Sequence, residues 1–146
     1  MGNPPRVLLA FPDTQSSKEL KTALVQIGLD PITTSSAEEA LEQVKADEPA
    51  VVFCSSELPG SSFREFFRAL RMVNRDVPVV VASRLGDWDE YLEAMGLGAF
   101  DCIAPPFERR SVEWVARNAL NEYAGHVPVK KAPASVLPQR ARKAAG

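Results

Sequence analysis

Side chains able to do covalent chemistry are few in this chain. Ser55 and Ser56 directly follow the apolar run Val51–Cys54, and Ser83 follows a second run, Val77–Ala82, so three hydroxyls stand where apolar segments end. A serine nucleophile needs a general base within hydrogen-bond reach, and the single histidine, His126, lies in a separate basic segment. Asp13 is a poor substitute base, which makes a hydrolase built on Ser55 the least favoured reading. Two readings remain for the hydroxyls. They satisfy loop backbone groups, as serine routinely does, or they hold a small anion or metabolite over Ser55, Ser56 and Ser83. The loop after Ala10 lacks the serine, threonine and glycine richness that wraps a phosphate, which disfavours a flavin. Cys54 and Cys102 sit inside apolar runs and read as buried small hydrophobes rather than a disulfide. Nothing in these spacings calls for a cofactor or a resident metal, and no enzyme activity is expected.

Placing three hydroxyls at the ends of apolar runs requires strands, and short apolar runs here alternate with segments of helical period. That alternation marks βαβ units and a parallel sheet covered on both faces. Five units fit. Strands are predicted over Arg6–Phe11, Pro31–Thr34, Val51–Cys54, Val77–Ala82 and Phe100–Ala104. The first helix carries Leu20, Ala23, Leu24 and Ile27 and stops at Gly28. A second carries Ala37, Ala40, Leu41 and Val44, with Ser36 and Glu39 spaced for a capping box. A third presents Phe63, Phe66, Phe67 and Leu70. Asp87 caps a fourth that runs to Gly96 or Gly98. The last starts near Glu108 and buries Val112, Val115, Ala116, Ala119 and Tyr123. In such a sheet ligands bind beyond the carboxyl ends of the strands, where Pro12, Asp13, Ser55, Ser83 and Pro105 fall.

The chain has 146 residues, 45% hydrophobic and 25% charged, enough for one domain with its own core. Its longest apolar runs are far shorter than the roughly 18 residues that a membrane span needs. No secretory signal is readable, so a cytoplasmic location is expected. All 19 acidic residues precede residue 125, whereas five of the 17 basic ones follow it among prolines and alanines. The expected division is therefore a domain over residues 5–124 and a flexible basic tail over 125–146.

Several segments, taken in order, resemble the receiver domain of two-component response regulators over nearly all of residues 5–124. They are Val7-Leu8-Leu9, Pro49-Ala50-Val51-Val52-Phe53, Leu58-Pro59-Gly60, Val77-Pro78-Val79-Val80-Val81-Ala82-Ser83, Gly98-Ala99-Phe100-Asp101 and Pro106-Phe107. The resemblance implies an α/β fold: a doubly wound five-stranded parallel (βα)5 sheet with strand order 2-1-3-4-5. It also implies a magnesium-dependent site in which an aspartate after the third strand is phosphorylated. Here that position is Ser55, which cannot form an acyl phosphate. The family's acidic pair falls on Phe11 and Pro12, leaving Asp13 as their neighbour. The hydroxyl position is kept as Ser83, the lysine position is Pro105, and the aromatic switch position is Cys102. Magnesium prefers octahedral oxygen ligation, and phosphoryl transfer needs a nucleophile and cationic stabilisation. Both are expected to be lost. The Pro105–Pro106 bond is expected to be cis, as the family's equivalent usually is.

The expected function is a phosphorylation-independent receiver-like protein-interaction module in bacterial signal transduction. The resemblance directs attention to the face built from the fourth helix, fifth strand and fifth helix. Partner-binding candidates there are Trp88, Tyr91, Met95, Arg110, Trp114 and Arg117. Trp88 is expected to be the exposed member of the stripe Trp88, Tyr91, Leu92 and Met95, and Trp114 to sit at the rim of the buried face. The partner would be a signalling protein or a second copy of the chain. Membranes are not expected, and nucleic acid would be held only weakly by the tail's five charges.

Overall fold

The computed structural model describes residues 4–12, 14–83 and 88–123, the Tyr123 side chain excepted. Asp13, the cap expected at Asp87, the packing expected of Tyr123, His126 and the basic tail lie outside the described residues. Within them, strands and helices alternate: β1 (Arg6–Ala10), α1 (Gln15–Gln26), β2 (Asp30–Thr34), α2 (Ala37–Asp47), β3 (Val51–Ser55), α3 (Phe63–Val73), β4 (Val79–Ala82), α4 (Trp88–Leu97), β5 (Asp101–Ile103) and α5 (Arg109–Tyr123). The sheet order is β2-β1-β3-β4-β5, as the resemblance implies, and every pairing is parallel, as the alternation of apolar runs and helical segments predicts.

Period-two alternation along the strands builds two cores. Leu8 and Ala10, Val52 and Cys54, Val79 and Val81, and Cys102 face α2, α3 and α4, meeting Ala40, Val44, Phe66, Leu70 and Ala94. Val7 and Leu9, Val51 and Phe53, Val80 and Ala82, and Ile103 face α1 and α5, meeting Leu20, Leu24, Val115 and Ala119. Phe63 is only partly buried at the margin of the first core.

Proline sets several strand limits that differ from the sequence reading. β1 stops at Ala10 rather than Phe11, since Pro12 next in the chain has no amide donor. Phe11 remains buried and its N–H still donates to the Thr34 carbonyl at 3.1 Å. β4 begins at Val79 rather than Val77 because Pro78 cannot donate to the ladder; its carbonyl still accepts from the Val52 amide at 3.0 Å. β5 shortens to Asp101–Ile103, β2 gains Asp30, and β3 extends to Ser55.

Hydroxyl caps start the first three helices. Thr14 and Ser17 exchange backbone-to-side-chain bonds at the start of α1, which ends before Gly28 in a left-handed conformation, φ +90°. Ser36 accepts from the Glu39 amide at 3.2 Å, as expected. The Glu39 carboxylate, however, takes the Ser35 amide and hydroxyl, both at 3.1 Å, so the return half of the expected box lies one residue upstream. A full box that sequence reading missed, Ser62 with Glu65, opens α3. At the opposite end of α3, the Arg71 guanidinium lies 4.8 Å from the Phe67 ring centroid and donates to the Val77 carbonyl at 2.6 Å.

Candidate functional site

The carboxyl edge of the sheet gathers the residues that the sequence singles out. Cys54, Val81 and Cys102 form one row across β3, β4 and β5, and Ser55, Ala82 and Ile103 form the next. Phe11 and Pro12 follow Ala10, the partner of Cys54. Beyond the last row, the Ser56 amide donates to Ala82 at 3.1 Å and the Ser83 amide to Ile103 at 2.9 Å. Pro105 and Pro106 complete the edge, joined by the expected cis peptide. Cys102 sits a row deeper than the rest and is fully buried.

Hydrogen bonding at this edge is internal. Ser55 is nearly buried, and its Oγ accepts the Glu57 amide at 3.1 Å. Ser83 is wholly buried, and its hydroxyl donates to Glu90 Oε1 at 2.6 Å. Sequence reasoning missed Glu90, on the first turn of α4. Its partner lies seven residues away across a loop, and an acid in a first helical turn is unremarkable by spacing alone. A cavity of about 320 Å³ opens between α3 and α4, lined by Ser56, Ser62, Arg64, Glu90 and Glu93, and neither Ser55 nor Ser83 lines it. Arg64 Nη2 closes its outer side on Glu93 Oε2 at 2.6 Å. Among the described residues no three His, Cys, Asp or Glu side chains are grouped to hold a metal ion.

Sequence reading also passed over Asp101, which is 7% exposed in the edge strand. Its Oδ1 accepts the Cys102 amide at 2.7 Å, but burial outweighs that bond and pushes the carboxyl up to about 6. Burial also raises Tyr91, with Asp101 and Cys102 adding to the effect, and pushes the Cys102 thiol up to about 12. Cys54, fully buried, is likewise raised. Both cysteines are free, so neither is a reactive thiolate at neutral pH.

The face of α4, β5 and α5 differs from expectation in one respect. Trp88 is half-buried, stacked on Tyr91 with ring centroids 5.6 Å apart and planes at 19°, because Tyr91 packs beside it one helical turn on. Leu92 is the exposed member of the stripe at 49%, while Met95 and Tyr91 are partly buried against the core. Trp114 stands at the rim, 37% exposed, as its position on the helical wheel predicts. Arg110 is exposed, and Arg117 is paired with Glu113 one turn back at 2.8 Å.

Residues 7–116, which run from the second residue of β1 to the middle of the last helix, match the response regulator receiver domain. The chain belongs to that family. A relative is the response regulator protein FleR of Pseudomonas aeruginosa, 31% identical, the alignment covering 89% of this chain and 28% of that protein. The C4-dicarboxylate transport transcriptional regulatory protein DctD of Rhizobium meliloti is 29% identical over 82% of this chain and 26% of its own length. Among solved structures, the receiver domain of NtrX from Brucella abortus superposes with a TM-score of 0.74 at 25% identity, covering 79% of this chain and 98% of that one. This receiver domain spans about a quarter to a half of the length of the curated relatives it matches. Among the described residues no helix is long and apolar enough to cross a membrane.

Proposed function

We propose that this receiver domain is a phosphorylation-independent, non-enzymatic interaction module of signal transduction. The observation that carries the reading is the internal use of the rim hydroxyls, Ser55 by the Glu57 amide and Ser83 by Glu90. In the family's arrangement the end of β3 offers a carboxylate as nucleophile and metal ligand. Here it offers a hydroxyl already engaged as an acceptor, with a phenyl ring and prolines at Phe11, Pro12 and Pro105. These groups do not fit a magnesium ion, which needs several hard oxygen ligands, and no cation stands at Pro105 to stabilise a transferring phosphoryl group. With the hydroxyls held by the domain's own groups, one conformation of β4 and α4 is favoured without any added phosphate.

The partner surface is the α4, β5 and α5 face, where Leu92 and Trp114 expose apolar area beside Arg110. Rim aromatics and arginine are favoured interface anchors. A signalling protein or a second copy of the domain would dock there.

The test is an NMR titration of the full chain with Mg²⁺ and beryllofluoride. Unchanged amide signals of Ser55, Glu57, Ser83 and Glu90 are the expected result. Saturable shifts clustered on those four residues would show a working acceptor site and end the reading.

A further inference from the structure

We infer that this domain carries a binding site for a small phosphate monoester between α1 and the β2 edge of the sheet, with Lys18 and Lys21 as its cationic arms. A cavity of about 450 Å³ opens there, inside the size range of small-ligand sites. Lys18 and Lys21 both line it, three residues apart on α1 and so on one helix face. Among the described residues neither lysine has an ion-pair partner. Thr33, Thr34 and Ser35 border the same space from the end of β2, together with Leu9 and Phe11.

Charge decides which ligand fits. One carboxylate, Glu39, also lines the cavity, but its Oε1 already accepts the Ser35 amide and hydroxyl. Two ammonium groups against one hydrogen-bonded carboxylate leave a net positive site for a dianionic group. Lysine meets phosphate as a flexible point charge, and the Thr33 hydroxyl can add a neutral donor, whereas those of Thr34 and Ser35 already donate to the Leu9 carbonyl and to Glu39. The cavity is larger than a bare phosphate ion needs, which favours an organic body attached to the phosphate. The space beside Ser56 has the opposite balance: two carboxylates, Glu90 and Glu93, line it with one guanidinium, Arg64, which is already paired with Glu93. Of these two cavities, the one at the β2 edge is therefore the better site for a small anion. This inference does not depend on whether the rim can be phosphorylated.

The test uses the full chain and adenosine 5′-monophosphate as probe, followed by amide shifts at about 0.15 M salt, with inorganic phosphate and adenosine as separate arms. The nucleotide is expected to shift Lys18, Lys21 and Thr33–Ser35 saturably, at least tenfold more tightly than inorganic phosphate, while adenosine does not bind. The double variant Lys18→Glu, Lys21→Glu is expected to keep a dispersed spectrum and to lose at least tenfold in affinity. Milder Lys18→Gln and Lys21→Gln variants, each expected to weaken binding severalfold, serve if the reversals unfold the chain. The inference is overturned by an absence of saturable shifts at these residues, by phosphate or adenosine binding as tightly as the nucleotide, or by lysine variants that bind like wild type.

Discussion

Phe53 and Ser55 lie two residues apart on β3, on the same side of the sheet, yet they are held in different ways. Phe53 is fully buried among aliphatic side chains from β1, β4, α1 and α5. Ser55 stands at the last row, where its hydroxyl is used by the next turn of backbone. The inner rows depend on volume and close packing. The rim depends on local hydrogen bonds that several polar residue types can make. A receiver sheet can therefore lose the chemistry of its rim while its interior, and with it the fold, stays intact.

The contrast is sharpest in Phe53→Ala, which is expected to cost about 3–5 kcal/mol in urea unfolding, whereas a loss near 1 kcal/mol would mean that the inner row is loosely packed. Next comes Asp101, the exception among the inner rows. Its carboxyl titrates at about 6 in the fold against an ordinary 3.8, so the native state binds more protons than the unfolded chain between those values. Stability contributed by this group falls as pH rises from about 4 to 6 and is flat above. Asp101→Asn keeps an acceptor for the Cys102 amide and is expected to stabilise the domain at pH 7 by on the order of 2 kcal/mol. The variant should show no such decline in melting temperature across the window, and an unchanged profile would show that the carboxyl is not desolvated.

At the rim the effects shrink. Ser83→Ala removes a bond to a charged acceptor and is expected to cost about 1.5 kcal/mol. Ser55→Ala removes a neutral acceptor and is expected to cost about 0.5–1 kcal/mol. Thermal unfolding of the two variants ranks them, and a Ser55 effect equal to that of Phe53→Ala would erase the distinction between rim and interior.

The order of strands and helices was legible because buried parallel strands must be continuous apolar runs and covering helices must repeat near 3.6 residues. Leu20, Ala23 and Leu24, or Val112, Val115 and Ala119, could hardly read otherwise, and each set is buried. Strand ends were less legible, since Pro12 and Pro78 end hydrogen bonding before they end burial. Residues at the rim were found by position, but their partners were not. Glu90 reaches Ser83 only through the placement of α4 against β4, a tertiary relation that no local spacing encodes. Trp88 misled for a related reason: a helix wheel shows direction, and it does not show that Tyr91 shields the neighbouring indole. Asp101 was invisible because β-edge acids are usually solvated, whereas this one lies within a short strand covered on both sides.

The planar cation of Arg71 stacks on an aromatic ring of its own helix and ties off the carbonyl where the chain turns toward β4. The amino-terminal margin of the sheet is thereby buckled shut by a single side chain. Sequence drift at the opposite margin can proceed over a chassis whose far hinge stays clasped, and a lysine, with neither the flat surface nor the forked donors, would leave that clasp half undone.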